Sequence, residues 1–177
     1  MKNRSMITAM MLLTAVSSCL AQFSVKYSPE VQPKGNIQYF TPVGGNQFVG
    51  DCIPFFREGT FYLYWLLDEG HHSALNGLGG HQWCVSTSTD LKNWIHHPIA
   101  IGIDEEWEKS ICTGSVAYDG KKHYAFYATR LILDDNSVNE QLSYAVSKDG
   151  LKYTKQKPNP FYTSAPGYSK RHFRDPK

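Results

Sequence analysis

Asp51, Thr113 and Asp175 stand at equal intervals of 62 residues (113 − 51 and 175 − 113). Carboxylates that recur at a fixed period can be brought to one cavity if each period builds the same element. Hydrolysis of a glycosidic bond asks for such a pair. One carboxyl group attacks, or assists attack, at the anomeric carbon, and the other protonates the departing oxygen. A third carboxylate can hold the sugar and stabilise positive charge on its ring. Asp51 follows Gly50 and precedes an apolar run, which suits an exposed position at the mouth of a channel. Asp175 has Arg174 beside it, a neighbour that fits a charged acceptor gripping sugar hydroxyls better than a proton donor. Taken singly, Gly50-Asp51 reads as a turn and Arg174-Asp175-Pro176 as a surface loop closed by an ion pair. Their shared interval with Thr113 is what argues for a common cavity.

The elements that would carry these residues are strands. Past Gln22 there is no amphipathic helical period. Apolar and aromatic residues come in short runs at Phe61–Trp65, Gln82–Ser86, His123–Thr129 and Gln141–Ser147. Arg57-Glu58-Gly59, Tyr118-Asp119-Gly120 and Lys148-Asp149-Gly150 supply turn chemistry between runs. The fold class is therefore all-β. The pattern also repeats: Ser88-x-Asp90-Leu91-Lys92-Asn93-Trp94 is echoed by Ser147-x-Asp149-Gly150-Leu151-Lys152-Tyr153, a shift of about 60 residues. Four short strands per repeat are the mark of a propeller blade. The first blade is expected over 49–94 and the second over 112–153, with a third opening near Phe173. Asp51, Thr113 and Asp175 are then expected to precede or open successive innermost strands and to face one channel.

Composition narrows the function classes. Lys2 and Arg4, the apolar run Met6–Val16 and the small residues Ser17 and Ser18 read as an export signal over 1–21, too short to span a bilayer. Two exits fit: cleavage before Gln22, or a lipobox in which Cys19 is lipidated and tethers the protein to a membrane surface. Either makes the product periplasmic, extracellular or lipid-anchored at the cell envelope. Residues 22–48 form a lead-in, and 49–177 the partial domain. Without Lys2 and Arg4, basic and acidic residues balance at 16 each, and no basic patch points to nucleic acid. An aromatic share of 14% against 19% charged residues suits uncharged polar ligands such as sugars. Cys52, Cys84 and Cys112 show no Cys-x-x-Cys spacing and read as buried free thiols, with a Cys52–Cys112 bridge as the alternative. His71, His72 and His81 complete no metal-ligand set, because adjacent histidines on a strand face opposite sides. No cofactor or metal is expected. Gly77-Leu78-Gly79-Gly80 lacks the nucleotide-binding glycine pattern and reads as a loop.

Four ordered stretches resemble glycoside hydrolase family 32, the invertase, levanase and inulinase group. Val49-Gly50-Asp51-Cys52-Ile53-Pro54-Phe55-Phe56 resembles a variant nucleophile segment of that family. Gly80-His81-Gln82-Trp83 with Ser88–Trp94 resembles its Gly-His…Ser-x-Asp-Leu…Trp stretch. Cys112-Thr113-Gly114-Ser115 resembles its Phe-Ser-Gly-Ser motif, and Phe173-Arg174-Asp175-Pro176 its Arg-Asp-Pro motif. The resemblance implies a five-bladed β-propeller, of which about two and a half blades are present at about 60 residues each. It implies Asp51 as the nucleophile of a retaining mechanism and Asp175 as the transition-state stabiliser, with Arg174 orienting it. Trp83, Thr113 and Ser115 would belong to the sugar-binding wall, and Trp94 to the blade core. Cys52 stands where many members carry proline. The family's general acid, a glutamate in a Glu-Cys motif beyond the Arg-Asp-Pro, has no match: Glu105, Glu106 and Glu108 lie between the blades. The chain on its own is therefore expected to be inactive and poorly stable, and to end within an inner strand. A propeller glycosidase acting on arabinan or xylan, and a carbohydrate-binding remnant without catalysis, are the alternatives.

Overall fold

The computed structural model describes residues 47–69 and 80–177. The export signal, Cys19, the lead-in up to residue 46, His71, His72 and the glycines at 77 and 79 lie outside the described residues.

Two four-stranded antiparallel meanders follow one another along the chain. The first runs β1 (Gln47–Arg57), β2 (Thr60–Glu69), β3 (Gln82–Ser88) and β4 (Ile95–His96). The second runs β5 (Ser110–Tyr118), β6 (His123–Ile132), β7 (Val138–Ser147) and β8 (Thr154–Lys155). Each sheet is ordered as its strands are, which is the construction of a propeller blade. The expected blades therefore form, with ends within a few residues of those read from the repeat. Where the third is expected to open, residues 173–177 carry no strand, and Asp175 sits in irregular backbone at φ 59°.

Local chemistry explains the elements. β1 and β2 are joined by Glu58 and Gly59, both at positive φ (49° and 78°), a two-residue turn whose twist matches the strands. In β7 inward and outward residues alternate almost throughout, as a sheet with one face on a core requires. Ser147 Oγ accepts the Gly150 amide (2.9 Å), and Asp149 Oδ1 accepts those of Leu151 (2.8 Å) and Lys152 (3.2 Å). Ser88 Oγ and Asp90 Oδ1 repeat these bonds with Leu91, Lys92 and Asn93. The echoed motif is thus one loop built twice, and Asp149-Gly150 opens this wider connection rather than a tight hairpin.

The core lies between the sheets. Tyr64, Leu66, Trp83 and Val85 from the first meet Ile111, Ala125, Tyr127 and Tyr153 from the second. At this seam the Tyr64 hydroxyl reaches Gly150 O (2.8 Å) and the Tyr153 hydroxyl (2.8 Å), while the Tyr127 hydroxyl is buried without a hydrogen-bond partner. Arg57 from β1 stacks over Tyr118 (3.8 Å to the ring centre), and its Nη1 lies 3.1 Å from Nε2 of the buried His123. Lys155 pairs with Asp104 and with the buried Glu108 of the linker between the sheets.

His96, His97 and His123 share a consequence. Burial lowers all three imidazoles below their ordinary value, with His97 adding its charge against His96 and Arg57 against His123. The folded state thus holds them neutral, while the unfolded chain protonates as pH falls through about 6.5. Stability is fully present above that value and is lost as pH drops toward the lowered folded values. Urea midpoints should fall between about pH 7 and pH 5. Replacing His123 by Gln should flatten part of that slope, and an unchanged midpoint over this range would contradict the assignment.

Candidate functional site

Both innermost strands carry an irregularity where the candidate residues sit. In β1, Gly50 pairs with Leu66 and Cys52 with Trp65, which leaves Asp51 as the extra residue of a β-bulge. In β5, Ile111 pairs with Thr129 and Gly114 with Tyr127, so Cys112 and Thr113 together face the single residue Ala128. A bulge breaks the alternation and re-aims a side chain. Here it turns both side chains toward the gap between the sheets, and Thr113 Oγ1 donates to Asp51 Oδ2 at 2.6 Å. The equal register read from the sequence is therefore realised as direct contact between sheets. Asp51 is exposed, open to a solute approaching the end of the strands.

Three features hold the second bulge. Trp83 Nε1 donates to Cys112 O at 2.9 Å. The amide of Ile111 donates to His81 O (2.9 Å), and the His81 ring lies 2.9 Å from Ser110 Oγ. Gly114 allows the strands to close: a Cβ there would sit 1.9 Å from Phe126 O and 2.7 Å from Tyr127 Cα. The first two supports come from β3 and its approach, so the first sheet helps fix the geometry of the second at this point.

Trp83 accordingly does not line a sugar wall. It is fully buried in the core, and its one polar atom is committed to Cys112 O. Its role is to place the peptide next to Thr113, which only the tertiary contact shows. Trp94 is half-buried beside an apolar groove of about 310 Å³, lined also by Phe56, Phe61 and Leu91. Ser115 is half-buried in β5 opposite Phe126. Among the described residues Cys52, Cys84 and Cys112 form no disulfide, and Cys52 is exposed rather than buried, because its neighbour occupies the bulge. Partial shielding of its thiol by the neighbouring chain, then the charge of Asp51, raise its pKa above the ordinary value and favour the neutral thiol.

Arg174 and Asp175 sit on the segment that follows the second sheet. Arg174 Nε lies 3.7 Å from Asp175 Oδ2, and its Nη1 lies 3.7 Å from Glu140 Oε1. Among the described residues no hydrogen bond joins Asp175 to Asp51 or Thr113. The site as folded thus consists of an Asp51–Thr113 pair and a separate Arg174–Asp175 pair. Glu108 is a poor candidate acid: its carboxyl is closed off from solvent and paired with Lys155, though burial raises it above the ordinary value. Among the described residues, no three His, Cys, Asp or Glu side chains gather as a metal site.

Comparison with known proteins shows the family and the fold. Residues 53–177 match the model described as "Glycosyl hydrolases family 32 N-terminal domain". A sucrose-6-phosphate hydrolase of Escherichia coli is 33% identical over 112 residues, covering 60% of this chain and 23% of that protein. A levanase of Bacillus subtilis is 27% identical, covering 97% of this chain and 24% of that protein. Among solved structures, a β-fructofuranosidase of Bombyx mori in complex with sucrose superposes with a TM-score of 0.60 at 26% identity, over 72% of this chain and 26% of that one. Fructan 1-exohydrolase IIa of Cichorium intybus shares the fold, with a TM-score of 0.60 at 21% identity over 87% of this chain and 27% of that one. The chain spans about a quarter of the length of these relatives.

Proposed function

Because the chain belongs to glycosyl hydrolase family 32 and folds as part of its β-propeller, we propose that it carries the nucleophile half of a retaining β-fructosidase site. The observation that carries this reading is the Asp51–Thr113 contact across two inner-strand bulges. Asp51 attacks the anomeric carbon of a β-fructoside and forms a fructosyl ester, which water then releases with retention. Thr113 fixes the rotamer of the attacking carboxylate through its other oxygen, so one oxygen stays free to attack. Asp175 holds fructose hydroxyls and stabilises ring charge, with Arg174 orienting it, and Ser115 contributes to the sugar wall. Sucrose, inulin and levan are the substrate class. The related proteins point the same way: a sucrose complex of the Bombyx mori enzyme, and a 1-kestose complex of the Cichorium intybus exohydrolase.

Among the described residues no glutamate is placed beside Asp51 to protonate a leaving alcohol. The chain alone should therefore release no fructose from sucrose or levan. A donor whose leaving group needs no proton isolates the first step. With β-fructofuranosyl fluoride the chain should release fluoride and retain one fructosyl residue on Asp51, seen by peptide mass spectrometry. Asp51→Ala should take up none. An adduct on another residue, or fluoride release without an adduct, would refute the assignment, and so would sucrose cleavage by the chain itself. The export signal over 1–21, with cleavage before Gln22 or lipidation at Cys19, remains part of the proposal. Mass spectrometry of the secreted product decides between the two exits.

A further inference from the structure

Charges alternate along one line from the second sheet into the segment that follows it: Arg130, Glu140, Arg174, Asp175. Arg130 Nη2 donates to Glu140 Oε1 at 2.9 Å, and Arg174 Nη1 reaches the same oxygen at 3.7 Å. The Glu140 side chain is 1% exposed, Arg130 16%, Arg174 45% and Asp175 56%. The line thus runs from the interior to the surface. A carboxylate buried that deeply is sustained only by compensating charge, and two guanidinium groups supply it. The main chain is tied at the same place, where the Glu140 amide donates to Lys170 O at 2.7 Å. Glu140 Oε2 is buried without a hydrogen-bond partner, an acceptor on which Arg174 can close further.

The C-terminal segment needs such an anchor. Phe173 packs on Tyr162 at 5.6 Å, but 173–177 forms no strand. Asp175 sits at φ 59° directly before Pro176. A left-handed residue before proline is strained and persists only where its surroundings fix it. The ion line also lies near the bulge, since Arg130, Glu140 and Arg174 all act electrostatically on Cys112, the neighbour of Thr113.

We propose that Glu140 is a positioning residue: its buried carboxylate, braced by Arg130, locks Arg174 and thereby sets the direction of Asp175. This rests on the reading of Asp175 as a sugar-holding group. Glu140→Gln keeps the size and an acceptor for Arg130 while removing the charge. In the full-length 15N-labelled chain, heteronuclear NOEs at the amides of 171–175 and at Arg174 Nε–Hε should fall to those of a free tail. Amides of β6 and β7 should stay unchanged. Fructosyl transfer from the fluoride donor to Asp51 should slow by about 10²-fold, chiefly in its maximal rate. Arg174→Gln, which spares the Glu140–Arg130 bond, should give the same release, and the double variant no more. Wild-type NOEs at 171–175 in either single variant would overturn the proposal. A wild-type chain that is never labelled would instead sink the reading of Asp51, and the NOEs would still decide Glu140.

Discussion

Gly114→Ala is expected to abolish the folded second sheet. The added Cβ would meet Phe126 O at 1.9 Å, Tyr127 Cα at 2.7 Å and Phe126 C at 2.8 Å. All three are main-chain atoms of the partner strand, so no rotamer change relieves the clash. β5 and β6 would have to part where Thr113 is held against Asp51. Ordinary overpacking costs about 1–3 kcal/mol. Displacing backbone inside a paired ladder should exceed about 4 kcal/mol, which consumes most of the margin of a small domain. Soluble yield and the far-ultraviolet melting curve check this. Gly59→Ala is the contrast: its φ of 78° is unwelcoming to a side chain, a strain Gly114 does not carry, but nothing lies within 4 Å of the added Cβ. Strain alone should cost about 1–2 kcal/mol there. Equal melting temperatures for the two variants would show that backbone proximity at Gly114 is not decisive.

Trp83 should give the second large effect, and two substitutions separate its packing from its hydrogen bond. Trp83→Ala empties a fully buried site between the sheets and should cost about 3–5 kcal/mol. Trp83→Phe keeps most of the volume but leaves Cys112 O without its donor, a penalty of about 1–3 kcal/mol. Phenylalanine should therefore restore most of the stability without restoring the bulge. If Trp83 places the peptide next to Thr113, the phenylalanine variant should melt as a folded protein yet accept fructose on Asp51 more slowly than wild type. Denaturant unfolding and the labelling rate are the two measurements. Wild-type labelling in the phenylalanine variant would confine Trp83 to packing.

Both variants probe the same fact: the first sheet builds part of the second sheet's site. Nothing in the spacing of Trp83 announces this. β3 is buried along most of its length on both faces, so it lacks the alternation that tells a core tryptophan from one on a wall. Tryptophan suits either role, and only the identity of its neighbours decides. Glu140 was silent for the same reason. It shares a strand face with Val138, Leu142 and Tyr144, but its burial depends on two arginines 10 and 34 residues away (140 − 130 and 174 − 140).

Much of the rest was legible. Strand runs, turn residues and the Ser-x-Asp echo are local signals, each written in a few consecutive residues, and they produced the two sheets and their matching loops. The 62-residue interval marked Asp51 and Thr113 as equivalents, and they meet. The same interval placed Asp175 at the start of a strand, whereas 173–177 carry none, since periodicity supplies only a register. By itself, then, the sequence determined the fold class, the blade repeat and the residue types that could do glycosidase chemistry. The tertiary structure alone decided where those residues point. Bulge position, the face of a buried tryptophan and the partners of a buried carboxylate are set by contacts between segments far apart in the chain. Their energies depend on distance and burial, which no local pattern records.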